Sequence, residues 1–219
     1  MDVIVAQLPA CNGIIFLLVQ DIDAAMQQWH DDYGVGPFLV TRNALPLSNA
    51  YYRGEKAQPA KVNIAFAYVG DMQLELIELI GDTPSLYKEA LDRQQTGVHH
   101  YAVCVDDFPT VYNRALDNGF DAVVDAGVDG LARMSYVENP HSGLILEIIQ
   151  WNALTKPYFE GLEKRVKSAD KTQLIHEFDL AEITPRVAVM VQLMKFMLNK
   201  LCGRIEPTRR PLAQARPAV

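Results

Sequence analysis

The stretch Gly97-Val98-His99-His100-Tyr101-Ala102-Val103-Cys104-Val105-Asp106-Asp107 decides the fold, because the chain carries an earlier version of it. The counterpart is the apolar run 13–19 followed by Gln20-Asp21. Val19-Gln20-Asp21 matches Val105-Asp106-Asp107 at an offset of 86. Each copy is an apolar run of strand length that ends at an aspartate suited to cap a helix. Behind Asp21, residues Ile22, Ala25, Met26 and Trp29 share one helix face, and Gly34 and Gly36-Pro37 end the helix. Behind Asp106 and Asp107, residues Val111, Ala115 and Leu116 play the same part. Gly119 ends that helix at an offset of 85 from Gly34.

Three further strands are expected after each helix. In the first copy they are 38–41, 62–69 and 72–80, the last two joined by the turn Gly70-Asp71. In the second copy they are 121–124, 131–137 and 144–151. Leu74-Glu75-Leu76-Ile77-Glu78 matches Leu146-Glu147-Ile148-Ile149-Gln150 at an offset of 72. That offset is shorter because the first copy carries residues 43–59, read as a surface loop holding Tyr51, Tyr52 and Arg53. The fold class is therefore α+β, with two tandem βαβββ modules forming an incomplete barrel. Residues 1–151 hold the modules, at about 12–80 and 98–151. Residues 152–202 form a helical extension, with helices expected at 158–168 and 173–201 and an interruption at Pro185. Residues 203–219, with four arginines against one glutamate, read as a disordered basic tail.

Composition narrows the function classes. The 219 residues carry 20 Lys and Arg against 27 Asp and Glu, a net charge of −7. An acidic chain is a poor binder of phosphate backbones, so nucleic acid is not an expected partner. Cys11, Cys104 and Cys202 are too few and too scattered for a disulfide framework or a zinc ribbon. No secretion signal or membrane span is read, which makes the cytoplasm the expected compartment. Between Val187 and Leu201, residues Val187, Val191, Met194 and Leu198 recur at helical spacing. This stripe is expected to pack on a second chain, giving a homodimer, or on the back of a sheet. Contact with a membrane surface is the alternative.

Two carboxylates stand out because they lie inside apolar strands: Glu75 in Leu-Glu-Leu-Ile and Glu147 in Leu-Ile-Leu-Glu-Ile-Ile. A carboxylate there must face solvent, a cation or a metal, since an unpaired buried charge costs several kcal/mol. His100 opens an apolar strand, and neutral imidazole is a common metal ligand. One histidine and two carboxylates suit Zn, Mn, Co, Ni or Fe.

Two βαβββ modules in tandem resemble the vicinal oxygen chelate superfamily, which includes glyoxalase I, methylmalonyl-CoA epimerase, extradiol dioxygenases and bleomycin-resistance proteins. The residues that carry the resemblance are Val19 to Met26 with Trp29, Gly97-Val98-His99-His100, and Gly143 to Ile149 with its glutamate. Gly34-Val35-Gly36-Pro37-Phe38 is similar to the epimerase and glyoxalase-like branch. The resemblance implies a divalent metal held by one first-strand and one last-strand residue per module. Those positions are Ile14, Glu75, His100 and Glu147, so three of the four hold residues able to ligate and one holds isoleucine. It further implies a metal-dependent isomerase, epimerase or lyase acting on a small carbonyl or acyl-CoA-like substrate through an enolate. Glu147 would be ligand and base, and Glu75 the second carboxylate. A metal-free small-molecule binding protein on the same fold, which Ile14 favours, stays open, as does an extradiol-type dioxygenase.

Ile14, Tyr51, Arg53 and Tyr136 are the candidates for lining a substrate pocket, and Asn12 is a candidate substitute ligand. His99 is expected beside the site rather than in it. His141 falls in a hairpin tip, His30 and His176 fall on expected helices, and Cys104 reads as a small buried hydrophobe.

Overall fold

The computed structural model describes residues 13–45, 50–128 and 132–183, and positions 193, 194, 197, 199 and 200 beyond them. In chain order the elements are β1 (Ile14–Val19), α1 (Ile22–Tyr33), β2 (Phe38–Ala44), β3 (Ala50–Tyr52), β4 (Glu55–Lys56), β5 (Lys61–Val69) and β6 (Met72–Ile80). They continue with α2 (Leu86–Asp92), β7 (Gly97–Val105), α3 (Phe108–Asp117), β8 (Asp121–Val128), β9 (Ala132–Glu138), β10 (Ile145–Gln150), α4 (Thr155–Lys167) and β11 (Ile175–Glu177). The helix starts follow from their caps. Asp21 accepts from the Ala24 amide at 2.9 Å and Asp107 from the Thr110 amide at 3.2 Å. Gly34, at φ 67°, closes α1 in the left-handed region that glycine tolerates.

The strands form one curled, unclosed sheet in the order β11-β2-β5-β6-β1-β7-β10-β9-β8-β3-β4. Its centre is the antiparallel pair β1–β7, whose register pairs Ile14 with Ala102, Ile15 with Tyr101 and Phe16 with His100. An offset of 86 carries Ile14 onto His100 and Phe16 onto Ala102, so these pairs exchange under it. The modules are thus related by an approximate two-fold axis near Ile15 and Tyr101. The parallel pairs agree: Phe16 sits opposite Glu75 and Ala102 opposite Glu147.

Strand alternation sorts the side chains onto two faces. Leu17, Leu74 and Leu76 pack under α1 with Ile22 and Met26. Val105, Val137 and Ile148 pack under α3 with Phe108 and Tyr112. The opposite, inner face carries Ile14, Phe16, Leu18, Ile77, Ala102, Cys104 and Ile149. Leu162 and Val166 of α4 and the later Phe178 and Ile183 fill that face from the C-terminal side. Gly161 permits this approach, because a Cβ there would lie 3.1 Å from Ile183 Cγ2.

Several local expectations change. The segment read as a loop over 43–59 instead extends β2 to Ala44 and forms the β3–β4 hairpin, which adds to the edge of β8. The expected helix from 173 onward begins as strand β11, which pairs with β2, followed by a 3-10 turn at Leu180–Glu182. His176 therefore lies on a strand, where its Nε2 meets the Asp170 carbonyl at 2.9 Å. Helix α4 begins at Thr155 rather than 158, because Asn152 Oδ1 accepts from the Leu154 and Thr155 amides and starts the turn early. Positions 193, 194, 197, 199 and 200 are helical, and Met194 is 62% exposed within this chain. Val187, Val191, Leu198, Asn12 and the 203–219 tail lie outside the described residues.

Candidate functional site

Alternation places Ile14 of β1, Glu75 of β6, His100 of β7 and Glu147 of β10 on the inner face, each two residues from a side chain in its apolar core. All four are buried; the polar three are only 5%, 1% and 4% exposed. His100 Nε2 and Glu147 Oε2 lie 3.4 Å apart, and neither atom has a hydrogen-bond partner. The His100 ring is stacked on Phe16 at 3.9 Å between centroids and meets Tyr136 edge-on at 5.0 Å. The Tyr136 hydroxyl lies close enough to Glu147 and Tyr87 for both to raise its pKa, after burial.

Glu75 belongs to a neighbouring chain of contacts. Its Oε1 accepts from Gln73 Nε2 at 2.6 Å, and Gln73 Oε1 accepts from the Tyr68 hydroxyl at 2.6 Å. Tyr158 of α4 packs against the same inner-face core, so the C-terminal helix contributes a phenol to this wall.

Burial sets the protonation states. It pushes the Glu147 carboxyl up to about 7, against a partly offsetting hydrogen bond from Tyr136. Glu75 is raised well above the ordinary carboxylate range by burial and then by the charge of Glu147. Burial lowers His100 to about 3, and burial followed by the neighbouring His100 charge lowers His99 to about 4. At neutral pH the centre therefore holds two neutral imidazoles beside carboxyls that can keep a proton.

The other candidates take different places. Arg53 forms a two-point ion pair with Glu89 of α2, both contacts at 2.7 Å, and reaches Glu138 at 3.4 Å. Tyr52 also donates to Glu89. This cluster ties the β3–β4 hairpin to α2, so the Arg53 guanidinium is already engaged by carboxylates. Tyr51 lies on β3, away from the His100–Glu147 pair. A small apolar cavity of about 30 Å³, lined by Leu86, Tyr87, Val124 and Tyr136 among others, adjoins the pair. On another side a polar, open groove of about 650 Å³ reaches His99.

Gln73, Phe16, Tyr87 and Tyr158 were not singled out from sequence. Gln73 and Phe16 were within reach, each lying two residues from a chosen position and hence on its face. Tyr87 and Tyr158 come from helices whose packing direction has no local signature.

The divalent ion implied by the resemblance can be set against these donors. An imidazole nitrogen and a carboxylate oxygen lie 3.4 Å apart, but Gln73 holds Glu75 and Ile14 offers no donor atom. Among the described residues no three His, Cys, Asp or Glu side chains gather to hold an ion. Catalytic centres of this kind use at least three protein ligands. The arrangement as it stands does not fit a divalent ion.

The family model described as "Glyoxalase/Bleomycin resistance protein/Dioxygenase superfamily" matches residues 15–137. No curated protein matches the chain. Among solved structures, a hypothetical protein from Bacillus halodurans C-125 is similar at 18% identity and a TM-score of 0.44, covering 64% of this chain and 92% of its own. Methylmalonyl-CoA epimerase from Mycobacterium tuberculosis is similar at 18% identity and 0.44, covering 64% and 86%. A Streptomyces coelicolor methylmalonyl-CoA epimerase variant in complex with 2-nitronate-propionyl-CoA is similar at 17% and 0.43, covering 66% and 98%.

Proposed function

The chain belongs to the glyoxalase/bleomycin resistance protein/dioxygenase superfamily, and from that premise we propose that it is an isomerase, epimerase or lyase that moves a proton next to a carbonyl. The observation that supports this reading is the buried pair of Glu147 Oε2 and His100 Nε2, 3.4 Å apart and each without a hydrogen-bond partner. A carboxyl held near pH 7 can take a proton and return it at neutral pH, the condition for efficient general acid–base catalysis.

In this reading a C–H bond next to the substrate carbonyl breaks and its proton goes to the Glu147 carboxylate. The electron pair moves onto the carbonyl oxygen, forming an enolate. Tyr136 and Tyr87 hold hydroxyl donors beside Glu147 that can stabilise the developing oxyanion, and the apolar surroundings strengthen such hydrogen bonds. Return of the proton to carbon gives an epimer or isomer; departure of a group from the neighbouring carbon gives a lyase. Glu75, whose carboxyl burial shifts toward its protonated form, can serve as a further donor. No step needs an ion. The substrate class we propose is a small carbonyl compound or acyl thioester, by analogy with the superfamily.

The second reading, a binding protein without catalysis, is supported by Ile14 and Phe16 beside His100 and by the cover that α4 lays over the inner face. One assay separates the two. The protein is incubated in D2O with 2-substituted acyl thioesters and small ketones and aldehydes, with and without a chelator, and deuterium at carbon is followed by mass spectrometry. Exchange is expected to be insensitive to chelator and to fall about 100-fold or more in Glu147→Gln. Stimulation by Zn²⁺, Mn²⁺, Co²⁺ or Ni²⁺ would restore the metal-dependent mechanism. Saturable binding of one of these compounds with no exchange would leave the binding-protein reading.

A further inference from the structure

His99 stands where β7 slips register against β1. Phe16 pairs with His100 and Leu17 with Val98, so the ladder passes His99 over. An extra residue of this kind re-aims a side chain that alternation would send to the other face. Here it brings the two adjacent imidazoles together, perpendicular at 84° with centroids 5.1 Å apart. Their Nδ1 atoms are separated by 2.8 Å.

Two ring nitrogens can hydrogen-bond only if one carries the proton and the other does not. The rest of the chain decides which. His99 Nε2 lies 3.4 Å from the Leu86 carbonyl oxygen, which can only accept. The proton of neutral His99 is therefore on Nε2, and its Nδ1 is a lone pair. The Nδ1–H of His100 is then the donor between the rings. A neutral imidazole has one N–H, so His100 Nε2 is bare, and it lies 3.4 Å from Glu147 Oε2.

We infer that His99 is a positioning residue that locks His100 in its Nδ1–H tautomer and leaves its bare Nε2 beside the Glu147 carboxyl. Two lone pairs do not face each other stably at this distance in a dry interior. A proton on Glu147 relieves this contact, and the ring-to-ring donors run one way: His100 to His99, and His99 to the Leu86 carbonyl. The inference needs no substrate, goes beyond the proposed activity and can fail or succeed without it.

The test is two-bond ¹H–¹⁵N correlation NMR on protein labelled at its five histidines, with His99→Gln and His100→Gln used to assign the two rings. The wild type is expected to show His100 protonated at Nδ1 and His99 at Nε2. In His99→Phe, which keeps the ring but removes the acceptor, the His100 tautomer is expected to reverse. Its Nε2–H then donates to Glu147. Wild-type His100 protonated at Nε2 overturns the inference, and so does an unchanged tautomer in a folded His99→Phe protein. If that variant does not fold, the wild-type spectrum decides alone. The deuterium-exchange assay judges the proposed activity separately, since the tautomer is read without substrate.

Discussion

The buried Glu75, His100 and Glu147 and the half-buried His99 set opposite pH trends in stability. Glu147 and Glu75 have folded pKa values above the unfolded 4.5, so each stabilises fully in acid and loses that contribution as pH rises. His100 and His99 have folded values below the unfolded 6.5, so each loses stability as pH falls below that point, down to about 3 and about 4. Between about 4.5 and 6.5 the two trends nearly cancel. Above 6.5 only the carboxyl trend remains, through about 7 for Glu147, at up to about 1.4 kcal/mol per pH unit for each carboxyl still titrating. Below 4.5 the imidazoles dominate, and Asp23 and Glu89, held low by hydrogen bonds from Arg42 and Arg53, add to the loss. Melting temperature against pH is thus expected to show a plateau in mild acid and a decline toward alkaline pH; a steady rise up to pH 8 contradicts these assignments. Glu147 was legible from sequence because a carboxylate in an apolar strand demands a reason. The part played by His99 was not, because it depends on a slip in strand pairing that one strand's residues do not encode.

At the scale of elements, α4 is the addition that shapes the site. Its Leu162 and Val166 enter the same core as Ile14, Phe16 and Phe66, and Phe178 meets Phe66 at 5.9 Å. Its last turn carries Lys164, Arg165 and Lys167, favourable at a helix C-terminus. Leu162 is fully buried, so Leu162→Ala is expected to cost about 2–5 kcal/mol, measured by denaturant unfolding. A loss below about 1 kcal/mol would mean that α4 is not seated on the sheet. Helix α2 was missed although Pro84-Ser85 opens it, with Ser85 accepting from the Lys88 amide at 3.2 Å. Seven residues give too short a run for periodicity to show. Strand β11 was misread as helix because three residues cannot display alternation, and its existence depends on the exposed edge of β2. The β3–β4 hairpin was read as a loop because its polar residues are explained by ion pairs with Glu89 and Glu138, partners distant in sequence.

At the scale of the whole molecule, the repeat was the most legible feature, since its offset of 86 appears in the β1–β7 register from Ile14 to Phe16. What the repeat could not reveal is how the halves diverge within their shared frame. The first module has Ile14 and Gln73 where the second has His100 and Ile145, so polar and apolar residues have changed places across the pseudo-two-fold axis. The result is one buried pocket, formed by the sheet, α2 and α4, in which Glu147 keeps a proton near neutral pH. That retained proton is the centre of the account, and infrared spectroscopy reads it directly. The difference spectrum of wild type minus Glu147→Gln at pH 6 is expected to contain the carbonyl stretch of a protonated carboxylic acid, fading as pH is raised through about 7. A difference spectrum with only carboxylate bands at pH 6 would contradict it.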